Sequence, residues 1–385
     1  MCYPAIITMF YTSGVQGFSY SYMPYELNVY LLTTLFVLIS GNYINDSHKS
    51  LWLPPILVAF TSYVFLVDLI FGSAYGNAEL LNNNLYSLLL ILMFQSMLNK
   101  NQESALRLFP LCFAITSLYF SYIFFTHLSQ FASFYGDSGL VRSGWKDPNY
   151  LGMMIGMGTL SSLMFVFNKY TKGLSVLEKI IYISAIVFSV PTLVMMASRG
   201  ALLSLLIASS IMIISSHAKT YYKILLLIVA FIGLYWLYNN NFFELLIYRM
   251  QNDDGTGSNR TLIWTQKLNL FIQGNPIHWF FGYGFYGGTN IAGFNDSFHN
   301  DFIGTLVEYG IFGFTMLLYM LYYPFRITKR KTTTRLNVVV LLVYLLTCMM
   351  TLEPIGLGVL TFYVFYLYII LVAKQKYQEI SDKPI

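Results

Sequence analysis

An all-α fold, a polytopic transmembrane helical bundle of about 12 spans (10–12), is the class this sequence predicts, and three observations predict it. Of its 385 residues, 56% are hydrophobic and only 10% are charged, with a mean hydropathy of +0.59. Apolar runs of spanning length recur along the chain, and basic residues gather in every second connection between them. A soluble reading is excluded, and residues 1–385 read as a single integral membrane domain.

The runs fall at 4–20, 27–45, 52–71, 85–98, 106–128, 149–167, 180–196, 201–216, 221–238, 300–325, 336–352 and 355–373. Each is about the 17–25 residues that cross a bilayer, or slightly shorter. The first lacks the basic leader and small-residue cleavage site of a secretory signal, so it is expected to stay as a span. With both termini in the cytoplasm, all but six of the 22 basic residues lie in inner connections, including the cluster Arg326, Lys329, Arg330, Lys331 and Arg335. That is the bias of the positive-inside rule. The exceptions are Arg142, Lys146, Arg199, Arg249, Arg260 and Lys267, on the outer side. Singly, such cations are ordinary loop solubilisers; together they suit something anionic outside.

Two outer connections are long: the shorter at 129–148, the larger and partly helical at 239–298. Their inequality speaks against a transporter built of two related halves. In the shorter one, Arg142, Trp145 and Lys146 precede Asp147 and Pro148, a cap and first-turn pair. The larger one passes Tyr248 and Arg249 and the turn-forming NDDGTGSN, then starts a helix at Ser258 or Asn259 that ends near Asn275-Pro276. On it Arg260, Trp264 and Lys267 share a face at steps of four and three, a cationic strip with an aromatic inside it. The glycine- and aromatic-rich FFGYGFYGGTN follows, expected to turn and expose flat rings to sugars. Asp253 and Asp254 read as a loop, and no metal site is expected; Cys2, Cys112 and Cys348 have no disulfide or zinc spacing.

Between 180 and 216 an unbroken helix would be about 55 Å long at 1.5 Å per residue, too long for one crossing. The chain is therefore expected to turn back at Ser198–Gly200, leaving a fresh helix start beside Arg199 that suits phosphate. An arginine anchoring a helix end at the interface is the plainer alternative.

The most informative stretch is FHNDFIGTLVEYGIFG, Phe298–Gly313. Read as one helix, it places His299, Ile303, Leu306, Gly310 and Gly313 on one face, with an imidazole at the outer end and glycines that admit a close neighbour. Glu308 lies about 13 Å further along the axis, too deep to share the histidine's proton, and reads as a packing or pairing group. His48, His127, His217 and His278 have no comparable context.

Several segments together resemble the O-antigen polymerase and O-antigen ligase superfamily of bacterial envelope glycosyltransferases, the Wzy-like polymerases among them. His299-Asn300, nine residues, Gly310, two residues and Gly313 match its HN-x9-GxxG pattern; DPNYLGMMIG at 147–156, SRGALLSLL at 198–206, SNRTLIW at 258–264 and the NP…GYG run at 275–284 support it. The resemblance implies a GT-C-like, metal-independent, inverting glycosyltransferase without cofactor, in the bacterial inner membrane. Its donor would be a glycan on a polyprenyl diphosphate at the outer, periplasmic face. Expected partners are such lipid-linked glycans, membrane lipid, and a chain-length regulator and a flippase of the same pathway; no nucleic acid is expected. His299, Arg260 and Arg199 would be catalytic, and Arg142, Lys146, Arg249, Trp264, Lys267 and Asn300 would bind the diphosphate or substrate. Polymerase is the first expectation and ligase the alternative, with a lipid-linked glycan flippase or exporter a third.

Overall fold

The structure, a computed structural model, describes residues 55–72, 102–126, 148–167, 174–216, 219–251, 260–285, 298–328, 332–351 and 360–374. The runs expected at 4–20, 27–45 and 85–98, the shorter outer loop with Arg142 and Lys146, and Asp253-Asp254 lie outside these residues. Each of the other nine runs coincides with a helix, and the described residues form helices without strands. In chain order these are α1 (Pro55–Phe71), α2 (Gln102–Thr126), α3 (Pro148–Phe167), α4 (Val176–Met195), α5 (Arg199–Ser215) and α6 (Thr220–Asn239). Then come α7 (Glu244–Gln251), α8 (Arg260–Gln273), α9 (Pro276–Phe281), α10 (Asp301–Ile327), α11 (Thr332–Thr351) and α12 (Leu360–Lys374). Among the described residues, four helices, lying in α2, α4, α10 and α11, are long and apolar enough to cross a membrane; α1, α3, α5, α6 and α12 hold shorter apolar stretches.

Packing sorts these helices into an inside and an outside. Helices α2, α3 and α4 pack on one another, and α5 lies between α3 and α11. Helix α12 touches α2, α10 and α11, and every residue from Phe362 to Ala373 is buried. A helix that is apolar on all sides must be covered by protein or by lipid. Helix α12 is covered by protein, whereas nearly all the described side chains of α6, Ile224 through Trp236, are exposed. Around α12 the rings of Phe109, Phe113, Phe365 and Tyr368 interlock, with Phe109 and Tyr368 stacked at 5.9 Å.

Many polar groups inside the bundle are satisfied locally, as an apolar surrounding favours. Thr61, Thr159, Ser162, Thr192 and Ser204 each donate to the carbonyl four residues back. The hydroxyls of Ser117 on α2 and Ser189 on α4 bond each other. Ser175 and Glu178 form a capping box at the start of α4, and Arg107 of α2 grips the same Glu178 with two bonds of 2.6 Å. Tyr344 of α11 donates to Met153 O at 2.7 Å and crosses α3 where Gly156 leaves room for its hydroxyl. Tyr344→Phe removes that bond and keeps the ring. It is expected to cost about 1 kcal/mol, read as a lower midpoint in thermal unfolding of the detergent-solubilised protein; an unchanged midpoint would show the bond adds nothing.

Candidate functional site

The His299 segment departs from the continuous helix that its pattern suggests. Asn300 is the N-cap: its side-chain oxygen accepts from Phe302 N at 3.0 Å and Ile303 N at 3.1 Å, and α10 begins at Asp301, an acidic residue at the positive end of the dipole. Because Asn300 takes the first free N–H groups, the helix cannot extend back to His299. The histidine stands outside it, half-buried, with a left-handed φ of 50°. The second departure is Gly310, whose φ of 66° and ψ of −170° kink α10. The face supposed to run from His299 to Gly313 is therefore broken twice, although Gly310 and Gly313 are both buried. Gly310 does admit a close neighbour: a Cβ there would overlap the backbone of Phe280 and Phe281 at the end of α9.

The kink frees carbonyls that a straight helix would use internally, and each acquires an outside donor. Tyr283 N donates to Val307 O at 3.1 Å, Gly284 N to Glu308 O at 2.8 Å, and the Tyr63 hydroxyl of α1 to Tyr309 O at 2.8 Å. Residues Gly282–Phe285 thus form a short strap across the kink. Asp68 of α1, buried, accepts Phe285 N at 2.9 Å and the Tyr309 hydroxyl at 3.4 Å. Glu308, also buried, packs against Gly282 and receives Gly284 N through its backbone oxygen.

In the segment expected as the larger outer loop, the described residues are largely helical and the cap at Asn275 is observed. Helix α8 starts at Arg260, and Asn275 caps the next helix through His278 N at 3.1 Å, with Pro276 in its first turn. The strip of Arg260, Trp264 and Lys267 does not lie open to solvent. Trp264 Nε1 donates to Phe298 O at 2.7 Å, and Lys267, buried, holds its ammonium 5.1 Å from the centre of the Phe298 ring. Arg260 is half-buried one turn before Trp264. The aromatic stretch divides: Trp279, Phe280 and Phe281 are exposed, but Tyr283 and Phe285 are buried, because the strap turns them into the bundle. Burial also pushes the Tyr283 phenol pKa upward. His278 lies parallel to the Tyr283 ring at 4.0 Å and bonds Gly282 O at 2.9 Å.

Arg199 opens α5, after a turn at Met196–Ser198 in which Ala197 is left-handed at φ 49°. Ser198 does not cap the helix with its side chain; its hydroxyl donates instead to Asn149 Oδ1 of α3 at 3.3 Å. Gly200 abuts Thr351, where an added Cβ would sit 2.5 Å from Oγ1, and Asn300 Nδ2 donates to Met350 O at 3.5 Å. The last turn of α11 therefore touches both the Arg199-Gly200 start and Asn300, the neighbour of His299. Through Trp264 and Phe298 the Arg260 helix joins the same end of the bundle. Arg249 lies on α7, which packs on α4.

Sequence reasoning missed Asp68, Asn149, Thr351 and the stacked His278. Asp68 alone carried a signal, being a carboxylate inside an apolar run. Among the described residues no group of three or more His, Cys, Asp or Glu side chains is arranged to hold a metal ion. What the arrangement offers is an imidazole and two guanidinium-bearing helix starts at one end of the bundle, a set fitted to proton transfer beside an anion.

Compared with known families, residues 184–318 match the model described as O-antigen ligase. The matched segment covers about a third of the chain and contains Arg199, Arg249, Arg260, Lys267, His299, Gly310 and Gly313. It agrees with the resemblance to the O-antigen polymerase and ligase superfamily. No curated protein matches the chain.

Proposed function

We propose that this chain, whose residues 184–318 match the O-antigen ligase family, joins polyprenyl-diphosphate-linked oligosaccharide repeat units into an O-antigen or capsule-type polysaccharide. The reaction takes place at the outer face of the bacterial inner membrane. The observation that carries this reading is the meeting of Arg199-Gly200 and Asn300 at Met350–Thr351, with the Arg260 helix tied in beside His299. In this reading the chain crosses the membrane about twelve times in a GT-C-like arrangement with both termini cytoplasmic. The membrane lipid surrounds α6, and a chain-length regulator and a flippase are pathway partners.

The acceptor hydroxyl oxygen bonds to C1 of the donor sugar as the bond from C1 to the diphosphate oxygen breaks, and the lipid diphosphate leaves with the bonding pair. His299 takes the hydroxyl proton. Negative charge grows on the departing diphosphate, where Arg199 and Arg260 supply bidentate N–H donors, with Arg142 and Arg249 as further cations. Attack opposite the leaving group inverts C1, and no step requires a metal ion. Lys267, held over Phe298, acts on the site through its charge and packing, and Trp264 and Asn300 brace it; Lys146 is assigned to diphosphate or substrate binding from the sequence alone.

Arg260→Ala is expected to reduce polymer at least about a hundredfold at equal membrane abundance, the scale of losing one transition-state donor; normal polymer on a glycolipid gel would remove Arg260 from the mechanism. The family description favours ligase as the second reading. Envelope glycolipids of a deletion strain separate the two: core bearing a single repeat unit identifies a polymerase, and bare core with polymer stranded on its lipid carrier identifies a ligase. Single units stranded on the inner leaflet would point to a flippase and overturn both.

A further inference from the structure

The strap across the Gly310 kink is held from two sides. One is α10 itself, whose Val307 and Glu308 carbonyls accept Tyr283 N and Gly284 N. The other is α1, which lies outside the segment that matches the ligase family and contributes Asp68. A buried carboxylate in a membrane helix carries a heavy desolvation cost, so its place needs a reason. One oxygen of Asp68 takes Phe285 N at 2.9 Å, the next backbone donor along the strap, and the other takes the hydroxyl of Tyr309, the residue before the kink. One turn earlier on α1, Tyr63 donates to Tyr309 O at 2.8 Å and reaches Phe280 O at 3.5 Å. Gly284 lies directly on Gly72, at the end of the same helix, where a Cβ would come 2.5 Å from Gly72 N.

We propose that Asp68 is a positioning residue of the transfer site: from α1 it clasps the strap to the kink of α10 and so fixes the first turns of that helix, whose N-cap Asn300 follows His299 directly. The inference rests on the glycosyl-transfer reading above. It assigns α1 a function, because the clasp joins it to both ends of the segment that carries His299. On one side the strap runs back through α9 to α8 with Arg260; on the other α10 leads up to Asn300. Asp68 touches no reacting atom in this scheme. It sets where the base stands relative to the cations.

The test uses the full chain in lipid nanodiscs and compares Asp68→Ala with Asp68→Asn. Asparagine keeps an acceptor for Phe285 N and an amide that the Tyr309 hydroxyl can face. Asp68→Ala is expected to raise hydrogen exchange in peptides over Gly282–Phe285 about tenfold and to cut the turnover number of glycan transfer about tenfold, with KM for the lipid-linked donor within about twofold. Asp68→Asn is expected to restore both to within about threefold. Should Asp68→Ala not accumulate in membranes, Tyr63→Phe deletes only a hydroxyl of the same clasp, with about fivefold changes expected in both readouts.

Unchanged exchange in Asp68→Ala would overturn the clasp, and loosened exchange with unchanged turnover would overturn its positioning role. Asp68→Asn that restores exchange and stays inactive would overturn it too, by showing that the negative charge itself is needed. A wild-type chain that transfers no glycan would instead overturn the functional reading and the positioning role with it. An active wild type with an equally active Asp68→Ala removes Asp68 alone.

Discussion

His299→Ala is expected to lower glycan transfer at least about a hundredfold, the usual contribution of a positioned general base, with the protein still present in the membrane at wild-type level. The backbone complicates the experiment usefully. At φ 50° the residue occupies the left-handed region, where alanine is strained and asparagine is tolerated. His299→Asn therefore preserves the local conformation and removes only the imidazole. Equal loss in both variants assigns the effect to the imidazole. Wild-type amounts of polymer from His299→Asn would end the assignment.

Gly310→Val is expected to impair transfer strongly from further away. A φ of 66° with a ψ of −170° is a conformation that side chains other than hydrogen enter only at a cost of about 1–3 kcal/mol. Here the added Cβ would also overlap the backbone of Phe280 and Phe281. The cheaper course for α10 is to straighten, reclaiming the carbonyls of Val307 and Glu308 and releasing Tyr283 and Gly284. The expected outcome is a chain with undiminished helicity by circular dichroism, a strap newly open to protease, and polymer reduced more than about tenfold. A protease-resistant strap with normal polymer would show that the kink is dispensable.

The boundaries that local chemistry controls were legible. Pro148 starts α3, Asn275-Pro276 starts α9, and the turn anticipated at Ser198–Gly200 falls at Met196–Ser198, where two apolar runs cannot share one crossing. His299 was misplaced by one residue, although the reason was in plain view: Asn300 followed by Asp301 is a stronger helix start than a histidine. The kink was not legible, since the apolar period continues past Gly310 with no proline to mark a break. What bends α10 is the strap, and the pairing of Tyr283 and Gly284 with carbonyls more than twenty residues later leaves no trace in local pattern. The same holds for the burial of Tyr283 and Phe285, whose ring-rich neighbourhood reads as surface until the strap turns them inward. The meeting of motifs at Met350–Thr351 was hidden for a simpler reason: those two residues belong to no motif at all.

Helix α12, the last of the described helices, is buried from Phe362 to Ala373 and packs on α2, α10 and α11, all earlier in the chain. During synthesis its neighbours reach the membrane first and must wait around a vacancy shaped for Phe362 to Ala373. Until it arrives, the rings of Phe109, Phe113 and Tyr344 face lipid or one another. The bundle is thus closed by a keystone, and the packing of α10, which follows His299, is finished only by a helix made after it.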